Sequence, residues 1–122
     1  MDKHILKEIC LKQMGATYDY KVEWEAERYL IGGKMFAMFG SDSEEKPILT
    51  LKCDPERADH LRETYKGIIS GYYMNKKHWN SLYLEANIPD ELFEPLIRHS
   101  YELVFQTLTK KVQAEIVLRL NT

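Results

Sequence analysis

Cysteine, proline and long apolar segments are scarce in this sequence. Its 122 residues include two cysteines and four prolines, and Cys10 and Cys53 are too far apart to form a metal-ligand motif. No apolar run approaches the roughly 20 residues that a membrane-spanning helix requires, and the first residues lack the apolar core of a secretion signal. We therefore expect a cytoplasmic protein that contacts no membrane. Two reduced, buried thiols are favoured over a single disulfide.

A strong net charge is also missing. The 17 Lys and Arg residues face 19 Asp and Glu residues, a formal charge of −2. Nothing in this balance attracts a polyanion to the whole molecule, so any contact with nucleic acid needs a local basic cluster. The charge is uneven along the chain: residues 19–45 hold seven acids and three Lys or Arg, whereas residues 52–78 hold four acids and six Lys or Arg.

Aromatic residues, by contrast, are plentiful. The sequence has eight Tyr, four Phe and two Trp, and 44% of its residues are apolar. Large rings bury much area and favour a folded core over disorder. The length fits one domain, which we place at residues 1–122.

Hydrophobic periodicity and turn residues together predict the elements of this domain. Gly32-Gly33 predicts a type I′ hairpin turn, because both central residues of that turn need positive φ. Pro95 is expected to kink the last long helix or delay its start, and Thr109 is placed to cap a further short helix. The predicted elements are, in order, a helix at residues 2–14, strands at 24–31, 34–39 and 48–53, a helix opening at Asp54-Pro55, strands at 68–74 and 81–86, and a helical region opening at Pro89.

The order α-β-β-β-α-β-β-α has short links between its strands. It predicts a two-layer α+β domain, in which an antiparallel sheet of about five strands carries its helices on one face. The stripes expected to be buried are Ile5, Leu6, Ile9, Cys10 and Met14 in the first helix and Phe93, Ile97, Tyr101, Val104 and Leu108 in the last long one.

Several segments together resemble the MmcQ/YjbR family, in the order in which that family has them. They are GGKMFA at residues 32–37, LKCDP at 51–55, GYYMNKKHW at 71–79, PDEL at 89–92 and SYELV at 100–104. The resemblance implies an α+β fold that has also been likened to frataxin-type proteins and secretion chaperones. It further implies a "double-wing" DNA-binding function. Tyr73 stands where many relatives have His, which bears on any role assigned to a His there.

The candidate nucleic-acid site lies in one predicted connection, residues 75–80. Lys76 and Lys77 are expected to contact phosphates, with Asn75 beside them and His78 or Trp79 at the groove or at a base, because cations beside aromatics suit phosphate contact with stacking. The residues alone favour a solvated turn with Trp79 packed into the core, and the resemblance brings the two interpretations close to even. Two weaker candidates are Lys52 and Arg57. With so few cations, we expect weak, salt-sensitive binding to DNA.

A second hypothesis is a protein-interaction adaptor without a role in nucleic-acid binding. The open sheet face or the C-terminal segment would then hold a partner peptide or a second copy of the chain. The apolar residues Val117, Leu118 and Leu120 near the terminus are candidates for such an interface.

No residue set points to catalysis. His99 and Ser100 are neighbours on a predicted helix and point about 100° apart. Glu23, Glu25 and Glu27 would share one face of a regular strand. The favoured interpretation is a solvent-exposed edge strand, whose charges protect the sheet from aggregation. The four histidines, including His60 and His99 on helix faces expected to be exposed, have no metal-ligand spacing. We therefore expect no enzymatic activity, no metal, no cofactor and no small-molecule substrate.

Overall fold

A computed structural model describes residues 1–72 and 74–120; Tyr73, Asn121 and Thr122 lie outside the description, as does the side chain of Leu120. Two short 3₁₀ turns, Val22–Trp24 and Asp90–Leu92, accompany the main elements. Among the described residues, no helix is long and apolar enough to cross a membrane. The helices are α1 Lys3–Leu11, α2 Pro55–Thr64, α3 Phe93–Gln106 and α4 Lys110–Leu120, and the strands are β1 Thr17–Lys21, β2 Ala26–Ile31, β3 Lys34–Ser41, β4 Pro47–Lys52, β5 Ile68–Ser70 and β6 Trp79–Tyr83.

The strands form one antiparallel sheet in the order β1-β2-β3-β4-β6-β5. The predicted two-layer α+β architecture is confirmed, with one strand more than the five expected. The additional strand is β1, which pairs with β2 from Thr17↔Leu30 to Lys21↔Ala26. It therefore covers the edge that the sequence assigned to the first hairpin arm.

The Gly32-Gly33 hairpin turn is confirmed. Gly32 has φ 58° and Gly33 has φ 80°, both in the region that side chains disfavour. Gly32 is also closely packed, since a Cβ atom placed there would lie 2.8 Å from Leu108 Cδ1. The turn therefore joins β2 to β3 and leaves room for the segment that follows α3.

The core lies between the sheet and the helices, and its largest fully buried side chains include Phe36, Phe39 and Phe93. All five residues of the stripe predicted for the last long helix are buried, although Leu108 lies just beyond the end of α3. The stripe predicted for α1 is partly wrong: Leu6 and Cys10 are buried, whereas Ile5 and Met14 are exposed. The helix ends at Leu11, so Met14 lies beyond it, and Ile5 lies on the outer side of the helix, away from the buried Leu6 and Cys10.

The boundaries of the last elements follow from local chemistry. Pro95 lies in the first turn of α3, which begins at Phe93, so its missing N–H falls where a helix has no acceptor to offer. Thr109 Oγ1 accepts a hydrogen bond from the N–H of Val112 at 3.2 Å, as predicted for a cap of α4. The strand expected at residues 68–74 ends at Ser70, and the next strand, β6, begins at Trp79.

Candidate functional site

The described residues between β5 and β6, 71–72 and 74–78 (the β5–β6 connection), lie over the sheet face that carries no helix. The N–H of Tyr72 donates to Ser81 Oγ at 3.0 Å, and the Tyr72 hydroxyl accepts from the N–H of Ser43 at 2.9 Å. Beneath it, Thr50 and Ser81 are fully buried and share a 2.7 Å hydrogen bond. The connection is therefore anchored through Tyr72 to two separate parts of the chain, strand β6 and the turn between β3 and β4.

Asn75 organises the turn that carries the predicted cations. Its Oδ1 accepts from the N–H of Lys77 at 2.9 Å, and its carbonyl accepts from the N–H of Trp79 at 3.1 Å. The turn is then attached to the end of β4, because Cys53 donates its N–H to the carbonyl of His78 at 2.9 Å.

Lys52 is brought to the same place. It lies opposite Trp79 in the pairing of β4 with β6, next to the Cys53–His78 hydrogen bond. We call Lys52 together with residues 75–79 the basic end. Asn75, Lys76 and Lys77 are exposed there, whereas Lys52, His78 and Trp79 are half-buried. A Cβ atom on Gly71 would lie 2.7 Å from Trp79 Cβ, so the base of this side chain is packed and its ring is not a fully open platform.

Arg57 lies beside the basic end but on the other layer. It belongs to α2, whose start is capped by Asp54, and the carboxylate of Asp54 accepts from the N–H of Arg57 at 3.3 Å. Asp54 and Glu56 place two acids near this arginine. The strand pairing thus brings the backbone of Lys52 close to the turn that carries Lys76 and Lys77, whereas Arg57 lies on α2 among acids.

The four candidate cations form no ion pairs with carboxylates of the described chain. Within residues 1–72 and 74–120, Lys52, Arg57, Lys76 and Lys77 form no ion pair. Six other cations do: Lys3, Lys7, Lys21, Arg28, Arg62 and Arg98. The site assignment itself remains a prediction, and the geometry leaves these four charges available to a ligand.

His99 and Ser100 have structural roles that the sequence did not indicate. His99 Nε2 accepts the N–H of Asp54 at 3.2 Å, and the expectation of an exposed histidine is wrong, since the ring is half-buried. Burial, together with the nearby positive charge of Arg57, lowers the pKa of His99. Ser100 Oγ donates to the carbonyl of Phe36 at 2.5 Å and accepts from the N–H of Lys52 at 2.9 Å. Both residues therefore fix the end of β4.

The three glutamates of residues 23–27 do not share a face. Glu23 lies in the 3₁₀ turn, and Glu25 has left-handed φ of 49°, because the chain reverses between β1 and β2. Glu27 alone is in β2. Its carboxylate reaches Lys3 Nζ at 2.9 Å and Lys7 Nζ at 2.5 Å on α1. Burial by itself raises the pKa of Glu27, but the hydrogen bonds from Lys7, Lys3 and Tyr18 outweigh it and lower the pKa to about 2.

The remaining sequence predictions concern the two thiols, metal binding and the C-terminal segment. Cys10 and Cys53 are free and buried, and burial raises the pKa of Cys10 to about 12. In the described part of the chain, no group of three or more His, Cys, Asp or Glu residues is placed to hold a metal ion. Val117 and Leu118 are exposed on α4, while the side chain of Leu120 lies outside the description.

Comparisons with known proteins point to a single family. The family model described as YjbR matches residues 11–103. The uncharacterized protein YbdF of Escherichia coli O157:H7 is 38% identical over 92 residues, 75% of each chain. The uncharacterized protein YjbR of E. coli K12 is 28% identical over 112 residues, 92% of this chain and 94% of that one.

A solved structure has the same fold. A Deinococcus radiodurans protein with a DUF419 domain superposes with a TM-score of 0.81 at 31% identity, covering 91% of this chain and 84% of that chain. The sheet and its helical layer are therefore a family architecture.

Proposed function

This chain belongs to the YjbR family, and from that premise we propose that it is a nucleic-acid-binding module that contacts phosphates through the basic end. The observation that carries the proposal is the hydrogen bond from Cys53 N–H to the His78 carbonyl. It brings Lys52, distant in sequence, to the turn that holds Lys76 and Lys77.

The roles of the residues follow from their exposure. Lys76 and Lys77 are exposed and are the primary phosphate contacts, with Lys52 beside them. Asn75 shapes the turn through its hydrogen bonds to Lys77 and Trp79. His78 and Trp79 line the turn toward the sheet, where the accessible part of either ring approaches a groove or a base. Arg57 contributes at longer range.

Binding of this kind is weak and depends strongly on salt. Each phosphate neutralised on duplex DNA contributes about −0.9 to the slope of log K against log salt. Lys52, Arg57, Lys76 and Lys77 therefore predict a slope of about −3 to −4. The net charge of −2 gives the molecule no additional long-range attraction.

Fluorescence anisotropy with a labelled duplex, measured over a series of NaCl concentrations, tests the proposal. The variant Lys76→Ala/Lys77→Ala should reduce the steepness of the salt slope by about 1.8, because two phosphate contacts are lost. The double variant Lys110→Ala/Lys111→Ala is the matched control, since this pair is exposed on α4 and carries the same charge. Equal loss in both variants, or wild-type binding that does not respond to salt, would overturn the proposal.

A further inference from the structure

A cleft of about 800 Å³ opens on the sheet face that carries no helix. One wall is the turn at residues 22–25 between β1 and β2, and the other is the turn at residues 41–45 between β3 and β4. Met74 of the β5–β6 connection contributes to the lining. The volume lies within the range of clefts that bind ligands, about 300–1,000 Å³.

The floor of the cleft is apolar, and the cleft is deep because two of its floor residues have little or no side chain. Ala26 and Gly40 lie side by side, and a Cβ atom on Gly40 would be 3.8 Å from Ala26 Cβ. The buried side chains of Met38 and Ile48 complete the floor. Two short residues between two protruding turns leave a depression that larger side chains would fill.

The rim of the cleft is uniformly acidic. Among the described residues, the charged members of its lining are Glu23, Glu25, Asp42 and Glu45, and all four are acidic. Two of these carboxylates are already engaged: Asp42 accepts the Lys46 N–H at 2.9 Å and the Tyr83 hydroxyl at 2.8 Å, and Glu23 lies 3.3 Å from Lys21 Nζ.

Glu25 and Glu45, one on each wall, form no ion pair with any described residue. Two cations near the β1–β2 wall are engaged with other groups. Arg28 binds Asp19 through two hydrogen bonds of 2.8 and 2.5 Å, and its guanidinium lies 5.6 Å from the centre of the Trp24 ring. Lys21, already paired with Glu23, also lies 5.5 Å from the centre of the Trp24 ring. On the other wall, Lys46 follows Glu45 and donates its backbone N–H to Asp42. Two carboxylates that form no ion pair with a described residue therefore line opposite walls above an apolar floor.

We propose that this cleft docks a partner-protein segment in which lysine or arginine side chains alternate with apolar ones. Carboxylates on opposite walls suit cations that are spaced along a chain, and the floor accepts the apolar side chains between them. Met38 and Met74 adapt to varied apolar shapes, and Trp24, 51% exposed, adds a ring at the edge. A compact cation would reach one wall and leave the floor in water.

Anisotropy of a short fluorescein-labelled peptide of alternating Lys and Leu tests the docking. Glu25→Gln/Glu45→Gln preserves side-chain size and should weaken binding by about two- to thirtyfold, since each exposed ion pair is worth about 0.2–1 kcal/mol and two are lost. The matched control is Glu63→Gln/Glu85→Gln, two exposed acids outside the lining, which should bind like the wild type.

A second variant separates docking from folding. Gly40→Val places a β-branched residue in a strand, where it is favoured, and fills the floor, so peptide binding should be lost while thermal stability is retained. The proposal is overturned if the glutamine variant binds like the wild type, if a Lys-Ser peptide binds as tightly as the Lys-Leu peptide, or if spermidine alone competes as well as the peptide. These outcomes do not depend on the basic end, whose variants are measured with DNA.

Discussion

Replacing Ser100 with alanine should destabilise the fold far more than the loss of one hydroxyl group from a surface would. Ser100 is fully buried on α3. Its Oγ lies between two strands, donating to the Phe36 carbonyl of β3 and accepting the N–H of Lys52 of β4. The described pairing of β3 with β4 ends at Ala37↔Leu51, so the hydroxyl takes the place of the next hydrogen bond between the strands.

The magnitude follows from what alanine leaves behind. Both backbone groups lose their partner in a site that the helix layer covers, and an unsatisfied buried polar group costs about 1–3 kcal/mol. Because the N–H of Lys52 is only partly buried, we expect a total loss of about 2–4 kcal/mol. The expected loss is a large fraction of the free energy of unfolding of a typical domain, which is about 5–15 kcal/mol.

Urea unfolding followed by far-UV circular dichroism measures the effect. Ser43→Ala, at an exposed position of the β3–β4 turn, is the control and should change the free energy of unfolding by less than about 0.5 kcal/mol. If Ser100→Ala lost no more than this control, the hydroxyl could not be the bridge between β3 and β4.

Two further substitutions address the first half of the chain. Glu27→Gln should remove a pH dependence: the pKa of Glu27 is lowered from 4.5 to about 2, so its contribution is complete above pH 4.5 and is lost as the pH falls toward 2. Unfolding at a series of pH values should show the wild type losing about 1–3 kcal/mol over this window relative to the variant. Gly32→Ala should lower the thermal midpoint more than Gly33→Ala, because a Cβ at Gly32 meets Leu108 at 2.8 Å, whereas one at Gly33 has nothing within 4 Å. Equal shifts would show that backbone strain alone sets the cost.

The features that sequence predicted well are local ones. Gly32-Gly33 requires positive φ whatever surrounds it, and the apolar stripe of α3 has one period over fourteen residues. Strand β1 was missed because its exposed tyrosines, Tyr18 and Tyr20, alternate with polar residues and give a short edge strand no apolar run. Its existence depends on pairing with β2, which is a contact between separate segments.

In the candidate site, too, local features were predictable from sequence and contacts between separate segments were not. Lys76, Lys77 and His78 are neighbours in sequence, so their cluster was predictable, but the approach of Lys52 depends on the pairing of β4 with β6. The shared face assigned to Glu23, Glu25 and Glu27 assumed a regular strand, and the reversal between β1 and β2 separates them. The cleft left no signal at all, because it arises where Ala26 and Gly40 meet across strands.

The acidic cleft and the basic end should behave as separate sites, which the two sets of variants can establish together. Ile48 lines the cleft, and Lys52 follows four residues later in the same strand, about 13 Å away at the usual rise per residue. This separation exceeds the screening length of about 8 Å at physiological salt. The two surfaces adjoin at Met74, which lines the cleft and precedes Asn75 of the basic end, but the Met74 side chain carries no charge.

The salt slope counts phosphates in contact, so Glu25→Gln/Glu45→Gln should leave the slope of DNA binding unchanged and raise affinity only at low salt. Lys76→Ala/Lys77→Ala should in turn leave peptide affinity within about twofold at physiological salt, since the cleft lining contains neither lysine and screening weakens the remaining interaction. If each double variant shifted both binding curves at that salt concentration, the two surfaces would be one, and the net charge of the molecule would govern both ligands.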